Sequence, residues 1–144
     1  MITGCAPVPT RILPVPVALP TPPAFAFAAP EMALPALIAA ERQAASDRNL
    51  SLLAVLWAEE SRIVDSRNTP DPGDDYVWEG HAALMDRYVA AVFPQPPQPF
   101  AAPPTLKITL DGDEATAQNS QDRWRFVWYD GRWHLKELVI EPAQ

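Results

Sequence analysis

Apolar residues recur at helical spacing in three places along this chain and alternate at strand spacing near its end. "PALIAAERQAA", from Pro35 to Ala45, sets Leu37, Ile38, Glu41, Ala44 and Ala45 at helical spacing, with proline tolerated in the first turn. Ser46 or Asp47 is placed to cap a second helix, "NLSLLAVLWAEE". Its apolar positions are Leu50, Leu53, Ala54 and Trp57, widened by Leu52, Val55 and Leu56. "SRIVDS" then reads as a short strand, "RNTPDPGDD" as a loop and "YVWEG" as a second short strand. "HAALMDRYVAAVF" puts Leu84, Met85, Tyr88, Val89, Val92 and Phe93 on the face of a third helix.

"PQPPQPFAAPP" is a second irregular loop, because proline has no N–H to give to a sheet ladder. Strand periodicity follows it. "TLKITL" turns Leu106, Ile108 and Leu110 inward, and Asp111-Gly112-Asp113 reverses the chain into "EATAQNSQ". "DRWRFVWY" alternates Trp124, Phe126 and Trp128, Asp130-Gly131 turns again, and "RWHLKELVIE" closes the sheet. Helix, helix, short hairpin, helix and long meander predict an α+β fold: three helices packed on one curved, mostly antiparallel sheet.

Composition changes this picture mainly at the front. The chain has 144 residues, enough for one domain, and 48% of them are hydrophobic, enough for a sizeable core. A net charge of -7 argues against a nucleic-acid partner, since phosphate binding needs clustered Lys and Arg. No apolar run approaches the roughly 20 residues that span a bilayer. Of 18 prolines, nine fall in residues 1–35. Residues 6–30 carry one charge, Arg11, and no glycine, a composition that favours extended polyproline II. The expected organisation is therefore a disordered, proline-rich tether over 1–30 and a folded domain over 31–144.

The single cysteine, Cys5, ends "ITGC", which resembles a bacterial lipobox. That resemblance implies a lipid on Cys5, a secretory signal whose start lies upstream of Met1, and a membrane partner reached only through the anchor. The location it implies is the cell envelope; without that upstream start, the tail and its thiol read as cytoplasmic.

"LLAVLWAEESRIVD", "WEGHAALMDRY" and "DRWRFVWYDGRWHLKEL" together resemble the nuclear-transport-factor-2-like (NTF2-like) superfamily in its SnoaL-like and ketosteroid-isomerase-like branches, over roughly residues 35–141. The resemblance implies a curved sheet wrapped round three helices with an apolar pocket inside, and members often form homodimers through the sheet. In ketosteroid isomerases one Asp is a general base, and a Tyr with a protonated Asp forms the oxyanion hole. Asp65 matches the position of the base, and Asp122 that of the protonated acid if the hairpin carries one extra residue. The tyrosine's place falls near Glu41 and Arg42, with no tyrosine nearby.

The candidate catalytic pair is thus Asp65 and Asp122, since an apolar cavity raises a carboxyl pKa by desolvating its anion. The alternatives are an Asp65 that bonds its own turn and an Asp122 paired with Arg123 or Arg125. Candidate ligand-binding residues are Trp57, Tyr76, Trp78, Tyr88, Trp124, Trp128 and Glu137, although tryptophans more often fill a small core. Glu137 shares the strand parity of Trp133 and Leu135, which places it in the pocket or at its rim; His134 turns away from that face. His81 and His134 are too few for a metal site, and no cofactor motif is present.

The missing tyrosine favours a non-catalytic domain that binds a small apolar molecule or an envelope protein. A SnoaL-like acid–base enzyme (isomerase, cyclase or dehydratase) acting on a cyclic or carbonyl substrate is the alternative. A cytoplasmic accessory protein that pairs through its sheet is the third expectation.

Overall fold

A computed structural model describes Gly4 and residues 21–142; Cys5 and its expected lipid lie outside the described residues. Three helices, α1 (Pro30–Ser46), α2 (Leu50–Leu56) and α3 (His81–Arg87), pack on a six-stranded sheet. Its strands are β1 (Trp57–Asp65), β2 (Tyr76–Glu79), β3 (Lys107–Asp111), β4 (Glu114–Gln118), β5 (Asp122–Tyr129) and β6 (Arg132–Ile140). The order is β2-β1-β6-β5-β4-β3, with β1 and β6 parallel and every other pair antiparallel. The fold class is therefore the α+β layout expected from the periodicities.

Two boundaries differ from the sequence expectation. The second helix stops at Leu56, and "WAEE" is strand. Ala and Glu favour helix, yet pairing with β6 (Trp57↔Leu135) and burial of Trp57, Ala58 and Ser61 outweigh that local preference. The cap of α2 is Asn49 rather than Ser46 or Asp47: its side-chain oxygen accepts the Leu52 N–H at 3.1 Å.

The tether boundary at residue 30 also falls too late. Ala24–Phe27 form a single 3₁₀ turn, Ala26 is fully buried, and Phe25 and Ala28 pack against the core. Pro30 supplies the first residue of α1, where its missing N–H costs nothing.

Gly80 opens α3 at φ 93°, ψ 151°, a conformation closed to L side chains, and its N–H reaches Ser61 O at 2.8 Å. This tight turn lets β2 feed straight into α3. Past Arg87 the helix widens into a π turn, Tyr88–Val92, with Phe93 N–H bonded to Tyr88 O.

The parity of β6 changes partway along. Arg125 pairs with Glu137 but Phe126 pairs with Leu135, so Lys136 is the extra residue of a β-bulge. Trp133 and Leu135 face the helices before the bulge, and Leu138 and Ile140 do so after it. Glu137 is consequently turned to the outer face, where it lies 3.8 Å from Arg62. His134 also faces outward but is buried, because Tyr129 stacks on its ring at 3.8 Å and 3°.

Two predictions follow from this packing. A chain starting at residue 31 loses the Ala26 and Phe25 contacts, about 1–2 kcal/mol of burial. It should melt roughly 4–8 °C below one starting at residue 21; equal melting temperatures would show that the 3₁₀ turn adds nothing.

Burial lowers the His134 pKa from 6.5 to about 4. The unfolded chain then binds the extra proton, so this contribution to stability is complete above about pH 6.5 and is lost as pH falls toward 4. In denaturant titrations His134→Gln should be less acid-sensitive than the parent over that window, and parallel pH profiles would refute this.

Candidate functional site

One row of the sheet assembles the site. Ile140 near the end of β6 is flanked in register by Asp65 on β1 and by Asp122 on β5. Directly opposed residues point to the same side of a sheet, and neighbouring strands lie about 4.8 Å apart. The two aspartates are therefore held two strand spacings from one another, facing a common space.

That space is a cavity of about 580 Å³. Its floor is this row with Leu138 and Trp124; its walls are Ile38, Glu41, Arg42 and Ala45 of α1 and Arg87, Tyr88, Ala91 and Val92 of α3 and its π turn. The proline-rich loop covers it with Gln95, Pro97 and Phe100.

Glu41 and Tyr88 meet at the back. Tyr88 is fully buried; its hydroxyl donates to Glu41 Oε1 at 2.5 Å and accepts from Trp57 Nε1–H at 3.0 Å. Burial raises the Glu41 pKa, opposed by the Tyr88 hydrogen bond and by the positive charges of Arg87 and Arg42. Burial also moves the Tyr88 hydroxyl well up, so it stays protonated.

Asp122 is the second perturbed acid. Desolvation raises its pKa, Arg42 and a backbone hydrogen bond from Glu141 oppose the rise, and the charges of Glu141 and Asp65 reinforce it. Neither arginine next to it in sequence is its partner: Arg123 pairs with Glu141 at 2.7 Å and Arg125 with Glu114 at 3.2 Å. Asp65 accepts the Arg67 N–H at 2.8 Å, the turn contact that Asp commonly makes at the end of a strand.

The other sequence candidates divide. Tyr88 and Trp124 are in the cavity wall. Trp57 lies behind Tyr88 and reaches the cavity only through that hydroxyl. Tyr76 is half exposed on edge strand β2, beneath the Arg67 guanidinium at 4.2 Å. Trp78 is half-buried beside Arg87, outside the lining. Trp128 lies six residues along β5 from Asp122, about 20 Å away, packed edge-on against Trp133 at 5.5 Å. Glu137 is on the outer face for the parity reason given above.

Glu41, Arg42, Arg87 and Phe100 line the cavity without being sequence candidates. Glu41 reads as a helix-face residue, Arg42 and Arg87 belong to no motif, and Phe100 sits in a loop marked only by its prolines. Their signal was faint: a lone glutamate on an otherwise apolar face. Among the described residues no three His, Cys, Asp or Glu side chains are grouped to hold a metal ion.

A curved six-stranded sheet over three helices, with a cavity between them, defines the NTF2-like, cystatin-like fold, and solved structures of that fold superpose on this chain. A protein of unknown function from Nostoc punctiforme has a TM-score of 0.60 at 13% identity, over 76% of this chain and 88% of its own. An NTF2-like protein from Novosphingobium aromaticivorans has a TM-score of 0.56 at 16% identity, over 77% and 80%. The hexachlorocyclohexane dehydrochlorinase LinA-type3 of Novosphingobium barchaimii has a TM-score of 0.52 at 13% identity, over 72% and 79%. At these identities the likeness is one of fold, and the fold houses enzymes as well as proteins of unknown function. No family model matches the chain, and no curated protein matches it in sequence.

The buried pair yields a prediction with a sign. A raised Glu41 pKa means that the folded state binds its proton more tightly than the unfolded state. That contribution is present below the unfolded pKa and is lost as pH rises through the folded one. Glu41→Gln removes the titration, so its stability relative to the parent should increase between pH 4 and pH 8. Tyr88→Phe strands the Trp57 N–H and the Glu41 carboxyl and should cost about 2–4 kcal/mol. Urea unfolding at both pH values checks the pair; an E41Q effect that is independent of pH would refute the first.

Proposed function

We propose that this protein is a small-molecule acid–base enzyme in which Asp122 takes a proton from a carbon next to a carbonyl group. The observation that carries the reading is the Asp122 carboxyl: it lines the cavity, has no guanidinium partner within 4 Å among the described residues, and has its pKa raised by desolvation. A carboxylate made more basic in this way is a better proton acceptor near neutral pH than one in water. Trp124, Phe100 and Ile140 supply apolar surface to the same cavity. LinA-type3, a dehydrochlorinase by name, gives an example of enzymatic chemistry on this fold.

Binding without chemistry is favoured by one observation: the Asp65 carboxyl is engaged by the Arg67 N–H, so Asp122 would act without a second free aspartate. Hydrogen–deuterium exchange at the α-carbon of small cyclic ketones, followed by NMR in D₂O, separates the two readings. The enzyme reading expects protein-dependent exchange whose rate rises with pH as Asp122 ionises, and a fall of about 10²-fold or more in Asp122→Asn. Ketones that bind without exchanging, or exchange that survives D122N, would overturn it in favour of the binding reading.

A further inference from the structure

The charges in the cavity wall are unevenly satisfied. Four carboxylates line it, and three have a named partner. Glu41 holds the Tyr88 hydroxyl, Asp65 caps the Arg67 N–H, and Glu141 pairs with Arg123. Asp122, the proposed base, has no guanidinium within 4 Å among the described residues, and the Arg42 charge favours its anion.

The guanidiniums of Arg42 and Arg87 are different. Neither has a carboxylate within 4 Å among the described residues. Each has a buried Nε with no hydrogen-bond partner. Each lies over an aromatic face instead, Arg42 on Phe100 at 4.7 Å and Arg87 on Trp78 at 5.1 Å and Tyr88 at 5.6 Å. Cation–π contact offsets part of the charge but satisfies no N–H donor.

Two planar, permanently charged forks sit on adjacent walls of one cavity, one from α1 and one from α3, beside apolar Ile38, Ala91 and Val92. Buried donors left unpaired cost free energy, and a carboxylate is the group whose geometry best matches a guanidinium fork. We infer that the cavity takes a ligand with an apolar body and a carboxylate, and that Arg42 and Arg87 hold that carboxylate. This rests on the small-molecule reading above and narrows its substrate class to carboxylic acids whose ring or chain packs on the apolar wall. Arg67, the remaining lining cation, is stacked on Tyr76 instead, its guanidinium 4.2 Å above the ring.

The test compares 2-naphthoate with 2-naphthamide, which has nearly the same shape but no charge, by isothermal calorimetry on the full chain at pH 7. Naphthoate should bind about 10- to 100-fold more tightly, the range expected of hydrogen bonds to a charged group. Arg42→Gln and Arg87→Gln should each remove most of that preference while leaving naphthamide affinity within about twofold. The comparison on the unsubstituted protein needs no variant to fold. Equal binding of the two probes would overturn the carboxylate assignment and leave the small-molecule reading standing. Binding of neither probe at millimolar concentration would overturn both.

Discussion

The Tyr88 hydroxyl is the point on which the domain depends. One oxygen accepts from Trp57, where α2 passes into β1, and donates to Glu41 on α1, while its own chain is the first residue of the π turn that continues α3. Three elements are thus tied together by two hydrogen bonds, that to Trp57 buried and that to Glu41 at the cavity wall. Loss of either bond leaves a buried polar group unpaired, which costs more than the bond itself contributes. Regular helical spacing sets Tyr88 there: it stands four residues after the buried Leu84, whose carbonyl accepts its N–H, and the π turn begins beyond it with the Phe93 N–H bonded to Tyr88 O.

The cavity follows from the same arrangement. Glu41 and Arg42 are adjacent on α1, so pinning Glu41 at the back of the cavity fixes Arg42 toward its open side, near Asp122. The row Asp65–Ile140–Asp122 is held by the sheet itself, through one parallel and one antiparallel pairing of β6. Side chains from a helix and from three strand ends therefore converge without a loop to position them. That gives the perturbed carboxyl of Asp122 a rigid setting, which proton transfer requires.

Much of the fold was legible in the sequence because its elements obey local rules. Helical spacing located α1 and α3, and alternation with Asp-Gly turns located the β3–β6 meander. The errors arose where distant pairing overrides local preference. "WAEE" is helical by composition but is drawn into β1 by β6, some 75 residues away. The Lys136 bulge carries no local mark, yet it reverses the facing of Glu137 and so removed a candidate from the site. Asp65 and Asp122 could be singled out from the family resemblance. The Glu41–Tyr88 pair could not, because it joins residues 47 apart whose contact depends on how α1 crosses α3. The absent first-helix tyrosine counts against acid–base chemistry; Tyr88, at the start of the π turn, lines the same cavity with its O–H committed to Glu41.

The central claim is that this cavity holds Asp122 as a desolvated carboxyl ready to exchange a proton. Its most direct measurement is a carboxyl ¹³C NMR titration of the intact chain, with Asp122 assigned by comparison with D122N. The account predicts a midpoint above the ordinary aspartate value of 3.8, moving higher still when Arg42 is replaced by Gln, since that guanidinium opposes the rise. A midpoint at or below 3.8, unmoved by R42Q, would contradict it.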